Sequence, residues 1–157
     1  MGRTRILAGL VLGLAVSVAA LGDAKSINQS KLPAAVLRTA EAQVAGATVT
    51  GYSTDKVDGV VTYRMDLVAE GKTRGIVMDK EGTLLAVEQE VAWNDLPADI
   101  QKTFDTVKTK GELGAVSTVT ENGNLVAYVA YLTTKRERNL VRVKPKAADP
   151  AAAGTTQ

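Results

Sequence analysis

Residues equipped for chemistry are few in this chain of 157. Histidine and cysteine are absent, which removes the commonest general base, the commonest metal ligand and the best thiol nucleophile. Serine and threonine are plentiful, but neither a G-x-S-x-G elbow nor an S-x-x-K dyad occurs. Carboxylates remain. Glu88 and Glu90 in "TLLAVEQEV" fall on one side of a strand, and paired acids can perform glycosidic acid–base work. Without a shaped pocket the same pair is only the solvated outer side of an end strand. "DKEG", Asp79 to Gly82, is a second acidic cluster. A calcium loop of the EF-hand kind needs oxygens at alternating positions and a distant Glu. Here the strand "TLLAV" begins at once, so too few oxygens converge. Asp at the start and Gly at the end specify a tight turn instead, Gly for positive φ and Asp for a side-chain bond to the backbone. The residues predict no enzyme, no metal and no cofactor.

A third stretch carries charge rather than chemistry. Lys135, Arg136, Arg138, Arg142, Lys144 and Lys146 stand against the single acid Glu137. They could meet an anionic surface such as lipid headgroups or an acidic partner. They could equally form a solvated turn and strand edge, where charge deters aggregation.

The elements that must position these groups follow from periodicity. "SKLPAAVLRTAEAQVAG" predicts a helix, with Pro33 in its first turn, Val36, Ala40 and Val44 as its apolar stripe, and Gly46 as its cap. "ATVTGY" is a strand, and "DG" at Asp58-Gly59 signals a hairpin turn. In "VVTYRMDL", Val61, Tyr63, Met65 and Leu67 face inward while Thr62, Arg64 and Asp66 face out. Turns at Glu70-Gly71-Lys72 and at "DKEG" complete a four-stranded meander ending at Val91. The chain then repeats itself at an offset of 64, "LPADIQKTFDTVKTKG" echoing "LPAAVLRTAEAQVAG". Ile100, Phe104 and Val107 make the second helical stripe, followed by "GAVSTVT", a turn at "ENGN", "LVAYVAYL" and the last clear strand, "LVRVK".

These features resemble the PepSY-like family with a β-lactamase-inhibitor-like fold, found in exported bacterial proteins. The resemblance rests on the helix starts Leu32-Pro33 and Leu96-Pro97, the spacing of Gly59 and Tyr63, and the D-x-x-G turn from Asp79 to Gly82. It covers roughly Leu32 to Lys144. It implies an α+β fold of two tandem helix-plus-antiparallel-sheet units, with helices packed on one face of the sheet and the other face open. It also implies binding or inhibition of other proteins, peptidases among them. The second unit departs from the pattern, because "LTTKRERNLVRVKPK" holds no D-x-x-G.

The expected organisation is a signal peptide over 1–22, a linker over 23–31, a first unit over 32–92, a truncated second unit over 93–144 and a disordered tail over 145–157. "MGRTR" followed by the uncharged run Ile6–Leu21 has the form of a secretory signal, with small residues suiting cleavage at Gly22 or Ala24. At 16 residues the run is shorter than the ~20 that span a bilayer; the rival is an uncleaved anchor. Removing residues 1–22 takes two of the 19 basic residues and none of the 17 acidic ones, leaving 17 of each. The basic balance therefore belongs to the signal and does not indicate nucleic acid.

"LVAYVAYL" is the anomaly. Aligning Tyr128 with Tyr63 turns Val126, Tyr128, Ala130 and Leu132 inward and leaves Leu125, Ala127, Val129 and Tyr131, all uncharged, on the opposite face. A strand apolar on both faces is covered on both. The candidate covers are the other unit, a second copy in a homodimer, a bound protein, the tail, or the face curling on itself. The partner-binding residues predicted are Ala127, Val129 and Tyr131, with Arg64 on the charged half and Tyr52 as a further aromatic. Trp93 is either another contact or a staple on the second helix start. The expected function is a periplasmic or secreted, non-enzymatic, inhibitor-like module that binds a protein or peptide of the cell envelope through the open face. The alternative is a lipid- or peptide-binding sensing module.

Overall fold

The alternating segments become strands. The computed structural model describes residues 16–20, 24–57 and 59–146. Its strands are β1 (Val16–Ala20), β2 (Lys25–Ile27), β3 (Thr48–Val57), β4 (Val60–Ala69) and β5 (Lys72–Met78), then β6 (Leu84–Glu90), β7 (Glu112–Leu113), β8 (Ser117–Glu121), β9 (Asn124–Thr133) and β10 (Arg138–Val143). Two helices, α1 (Ala34–Gln43) and α2 (Ala98–Lys108), interrupt them. Nine strands form one antiparallel ladder in the order β1-β10-β9-β8-β6-β5-β4-β3-β2, and β7 pairs with β9 off that path.

This corrects the expected α+β fold of two tandem helix-plus-sheet units. The described residues form mostly one antiparallel sheet with only two helices. The segments expected as separate units, 32–92 and 93–144, share one ladder, because β6 pairs with β8 through Val87↔Thr120, Glu88↔Val119, Gln89↔Thr118 and Glu90↔Ser117. Periodicity reports which residues share a face; it does not report where a sheet stops. The backbone groups of β6 need partners on both sides, and β8 supplies the second set.

The repeat survives locally. Single 3-10 turns at Gln29–Lys31 and Trp93–Asp95 lead into Pro33 and Pro97, the N-caps of α1 and α2, with ψ of 144° and 143°. Proline's fixed φ and missing N–H suit a helix start. In the second copy Gln101 locks the entry, its Nε2 donating to the carbonyls of Trp93 (3.1 Å) and Leu96 (2.9 Å).

Both helices lie on the same side of the sheet. Cross-strand partners point the same way, and one face can be followed from Met65 to Ile76, Val87, Thr120 and, through Thr118, to Tyr128 and Val143. On this face Val36 and Ala40 of α1 bury against Met65, Leu67, Ile76 and Met78. Further along, Ile100, Phe104 and Val107 of α2 bury against Tyr128, Val141 and Val143. Val61, expected inward, is instead 43% exposed. It lies beyond Tyr63, which pairs with Met78 at the end of β5.

Two sequence readings fall mainly outside the described residues. Of the proposed signal only Val16–Ala20 is described, as β1 on the outer edge of β10. Of the tail only Pro145 and Lys146 are described. Asp58 of the first hairpin also lies outside, while Gly59 shows φ +84°. No helix among the described residues is long and apolar enough to cross a membrane.

Candidate functional site on the open sheet face

The face away from the helices carries Thr62, Arg64 and Asp66 on β4, Gly75 and Val77 on β5 and Glu88 on β6. Toward the other end it carries Val119 on β8 and Ala127, Val129 and Tyr131 on β9. Arg64 is its charged centre. The guanidinium Nε donates to Asp66 Oδ1 at 2.7 Å and Nη1 meets Glu88 Oε2 at 2.8 Å. To reach β6 from β4 the side chain lies across β5, over Gly75, where an added Cβ would collide with the guanidinium. Burial opposes the charge, but the carboxylates of Glu88 and Asp66 outweigh it and hold Arg64 more firmly protonated than usual.

The paired acids of the sequence are both engaged. Glu88 is the ion partner of Arg64, and Glu90 accepts the N–H of Thr73 at 2.9 Å. That bond lowers the Glu90 pKa. A general acid needs a raised one. Both side chains are committed to other strands, Glu88 to Arg64 and Glu90 to Thr73. The expectation that they line an end strand is corrected too: β6 is interior, between β5 and β8.

The apolar half behaves differently from the sequence expectation. Ala127 and Val129, predicted as partner-binding residues, are only 0% and 4% exposed. With Val119 they form a third small core, against which Ala86, Val126 and Leu140 pack. Short side chains on interior strands are shielded by longer neighbours. Arg142 on β10 sits opposite Val129 and reaches Glu121 of β8 at 3.3 Å, spanning the intervening β9. The face covers itself here. A bulge adjusts the membership: Val119 pairs with Ala127 and Thr120 with Leu125, so Val126 is skipped. Leu125 consequently packs with the α2 core and Val126 with the open-face core, the reverse of the expected assignment.

Tyr131 stays half-buried at the rim. The Arg138 guanidinium stacks over its ring at 4.1 Å, within cation–π range. Desolvation raises its phenol pKa. Arg64, Glu88, Val129, Tyr131, Arg138 and Leu140 are among the residues lining one cavity of about 280 Å³. Three of the five predicted contact residues, Arg64, Val129 and Tyr131, thus meet at one place. Ala127 lies beneath the surface. Tyr52 is elsewhere: it pairs with Met65 and Ile27, on the helix-covered face, and packs against the α1 core. There it borders a second groove of about 700 Å³ with Ile27, Glu41, Val44 and Val49. Trp93 packs against the α2 core with Lys108 Nζ 3.3 Å from its ring centre, which matches the staple-like role. Sequence reasoning missed Arg138 and Leu140 as rim residues; the basic stretch and "LVRV" were the available signals.

"DKEG" is a turn. Gly82 has φ +80°, the Gly82 N–H donates to Asp79 O at 3.1 Å, and the Thr83 N–H donates to Asp79 Oδ1 at 2.8 Å. It also fastens the helix: Thr39 Oγ1 donates to Gly82 O at 2.7 Å. No group of acidic residues suited to a metal ion occurs among the described residues. No family model matches the chain, and no curated protein or solved structure matches it.

Proposed function

We propose that this chain is an exported, non-enzymatic binding module that recognises a protein of the cell envelope, inhibitor-like, through the open face at Tyr131. The observation that carries this reading is the cavity where the Tyr131–Arg138 stack meets the Arg64–Glu88 ion pair. Its volume, about 280 Å³, falls just below the range of roughly 300–1,000 Å³ that holds whole small ligands. It suits one anchoring side chain from a protein partner, and Tyr and Arg are the residues that dominate such contacts. Export is supported by the "MGRTR" start and the short apolar run after it. The PepSY-like resemblance rests on the motif residues and points to the same class.

The test places a photo-crosslinking residue at Tyr131 and, as control, at Leu85 on the exposed surface. Tyr131→Ala should weaken the captured interaction by about 2 kcal/mol, the scale of a hot spot. Crosslinks that ignore Tyr131, or activity in a hydrolase panel, would defeat the reading. A second reading has its own support: the groove beside Tyr52, about 700 Å³, has the size of a ligand site. A lipid- or peptide-binding sensor would use that groove, and Tyr52→Ala would then remove binding while Tyr131→Ala would not.

A further inference from the structure

We propose that the outer edge of β10 is a strand-addition site for an extended, acid-flanked peptide segment of a partner, occupied in the full chain by Val16–Ala20. Removal of residues 1–22 depends on the export reading above; the edge itself is a feature of the sheet. In the full chain β1 pairs antiparallel with β10 along Val16↔Val143, Ser17↔Arg142, Val18↔Val141, Ala19↔Leu140 and Ala20↔Asn139. The same residues fall inside the run Ile6–Leu21 that a signal peptidase would discard. Cleavage then leaves the outward N–H and C=O groups of β10 without a strand. Such an edge is a template for β-augmentation.

Charge selects the occupant. One step beyond each end of the β1–β10 register stand Arg138 and Lys144, both exposed. The run Ile6–Leu21 contains no charge, so it offers no counter-charge to Lys144 or to Arg138, whose guanidinium rests on the Tyr131 ring instead, and it is only a placeholder. An antiparallel strand carrying Glu or Asp at both flanks sets one acid opposite Arg138 and the other opposite Lys144. Opposite charges across strands stabilise pairing, and like charges destabilise it. A second copy fits worse. Antiparallel self-pairing of β10 centred on Val141 brings Arg138 against Lys144 at both ends, and the other sheet edge, β2, begins with Lys25. The basic stretch thereby both blocks self-association and selects an acidic strand.

Among the described residues every member of the three cores lies at Leu32 or beyond, so the chain lacking residues 1–22 keeps them all. The probe is a fluorescent Val-Ser-Val-Ala-Ala peptide with a glutamate at each end, compared with a lysine-flanked version. The leaderless chain should bind the glutamate peptide about tenfold more tightly than the lysine one, with a difference that shrinks at high salt. Amide exchange should slow at Asn139–Val143 when it binds. The full chain should bind the peptide about tenfold more weakly, because the placeholder competes, and full-length Val18→Pro should regain affinity, since proline disrupts the strand. Equal binding of both peptides, or no new protection of β10, overturns the proposal. A leaderless chain that dimerises with β10 already protected assigns the edge to a second copy and overturns it as well. Mass measurement showing residues 1–22 retained after export would defeat the export reading while leaving these edge measurements standing.

Discussion

The α1 end and the α2 end of the sheet solve the same problem in different ways. At each, an arginine on the open face spans one strand to reach a glutamate: Arg64 crosses β5 to Glu88, and Arg142 crosses β9 to Glu121. Under the first strap lies Gly75, and the guanidinium rests almost on bare backbone. Along the second, β9 presents Ala127, Val129 and a bulge at Val126, so an apolar layer fills the space. The first end is thus closed by charge on a glycine, the second by a small core. The helix sides differ as well. α1 buries only Val36 and Ala40 and is fastened by Thr39 to the "DKEG" turn. α2 buries Ile100, Phe104 and Val107 and is fastened by Gln101 to its own entry. Where a helix carries little apolar surface, a bond to a distant turn assists it; where it carries more, its side-chain bonds stay local to its own entry.

Val129→Lys is the sharpest way to break this comparison. It forces a cation into the open-face core and should cost about 3 kcal/mol or more in denaturant melts, matching Tyr128→Ala on the helix side. A cost within ~0.5 kcal/mol would mean that the apolar end is a free surface after all. Gly82→Ala comes next. It combines a left-handed φ of +80° with a Cβ placed 2.5 Å from the Ala35 carbonyl oxygen, and should cost about 2 kcal/mol. Calcium should leave its melting temperature, and that of the wild type, unchanged. A smaller loss would show that α1 does not depend on the turn.

Arg64→Ala should cost about 1–2 kcal/mol, because it leaves Glu88 and Asp66 without their counter-charge in a site that is partly hydrated. Its side chain and that of Glu88 are 28% and 22% exposed. Gly75→Ala, read by the same melts, should displace the guanidinium and lose a comparable amount. If Gly75→Ala is silent, the strap does not rest on β5. The smallest effect is the pH dependence. Hydrogen bonds from Thr83 and Thr73 lower the folded pKa of Asp79 and Glu90 below their ordinary 3.8 and 4.5. Their contribution is therefore complete above that carboxylate range and is lost as pH falls through the lowered values. Glu90→Gln should flatten part of the acid limb of a melting-temperature profile, and an unchanged limb would rule out the Thr73 bond as a stabiliser.

Much of the local structure was legible. Pro33, Pro97 and Gly46 mark the observed helix ends, Val36, Ala40, Ile100, Phe104 and Val107 are the buried helical residues, and "DKEG" is a turn. The site was legible only in part. Arg64 and Tyr131 share a cavity as named, but Tyr52 sits on the other face, and Ala127 and Val129 are covered. The alternation of "LVAYVAYL" says that both faces are apolar. It cannot say whether the cover is a partner or the neighbouring side chains, since the cover comes from other strands, Ala86 on β6 and Leu140 and Arg142 on β10.

Periodicity and turn chemistry, then, determined by themselves the two helices, the strands β3 to β6 and β8 to β10, the turns that separate them, and most of the side chains that share a face. Those properties depend on φ, ψ preferences and on neighbours within a few residues. Only the tertiary structure decided that β6 and β8 join everything into one sheet, that a bulge exchanges Leu125 for Val126, and that Arg142 and Glu121 strap the apolar face. Strand pairing is satisfied by any partner with free backbone groups, so register and neighbours are set by long-range packing that no local pattern encodes.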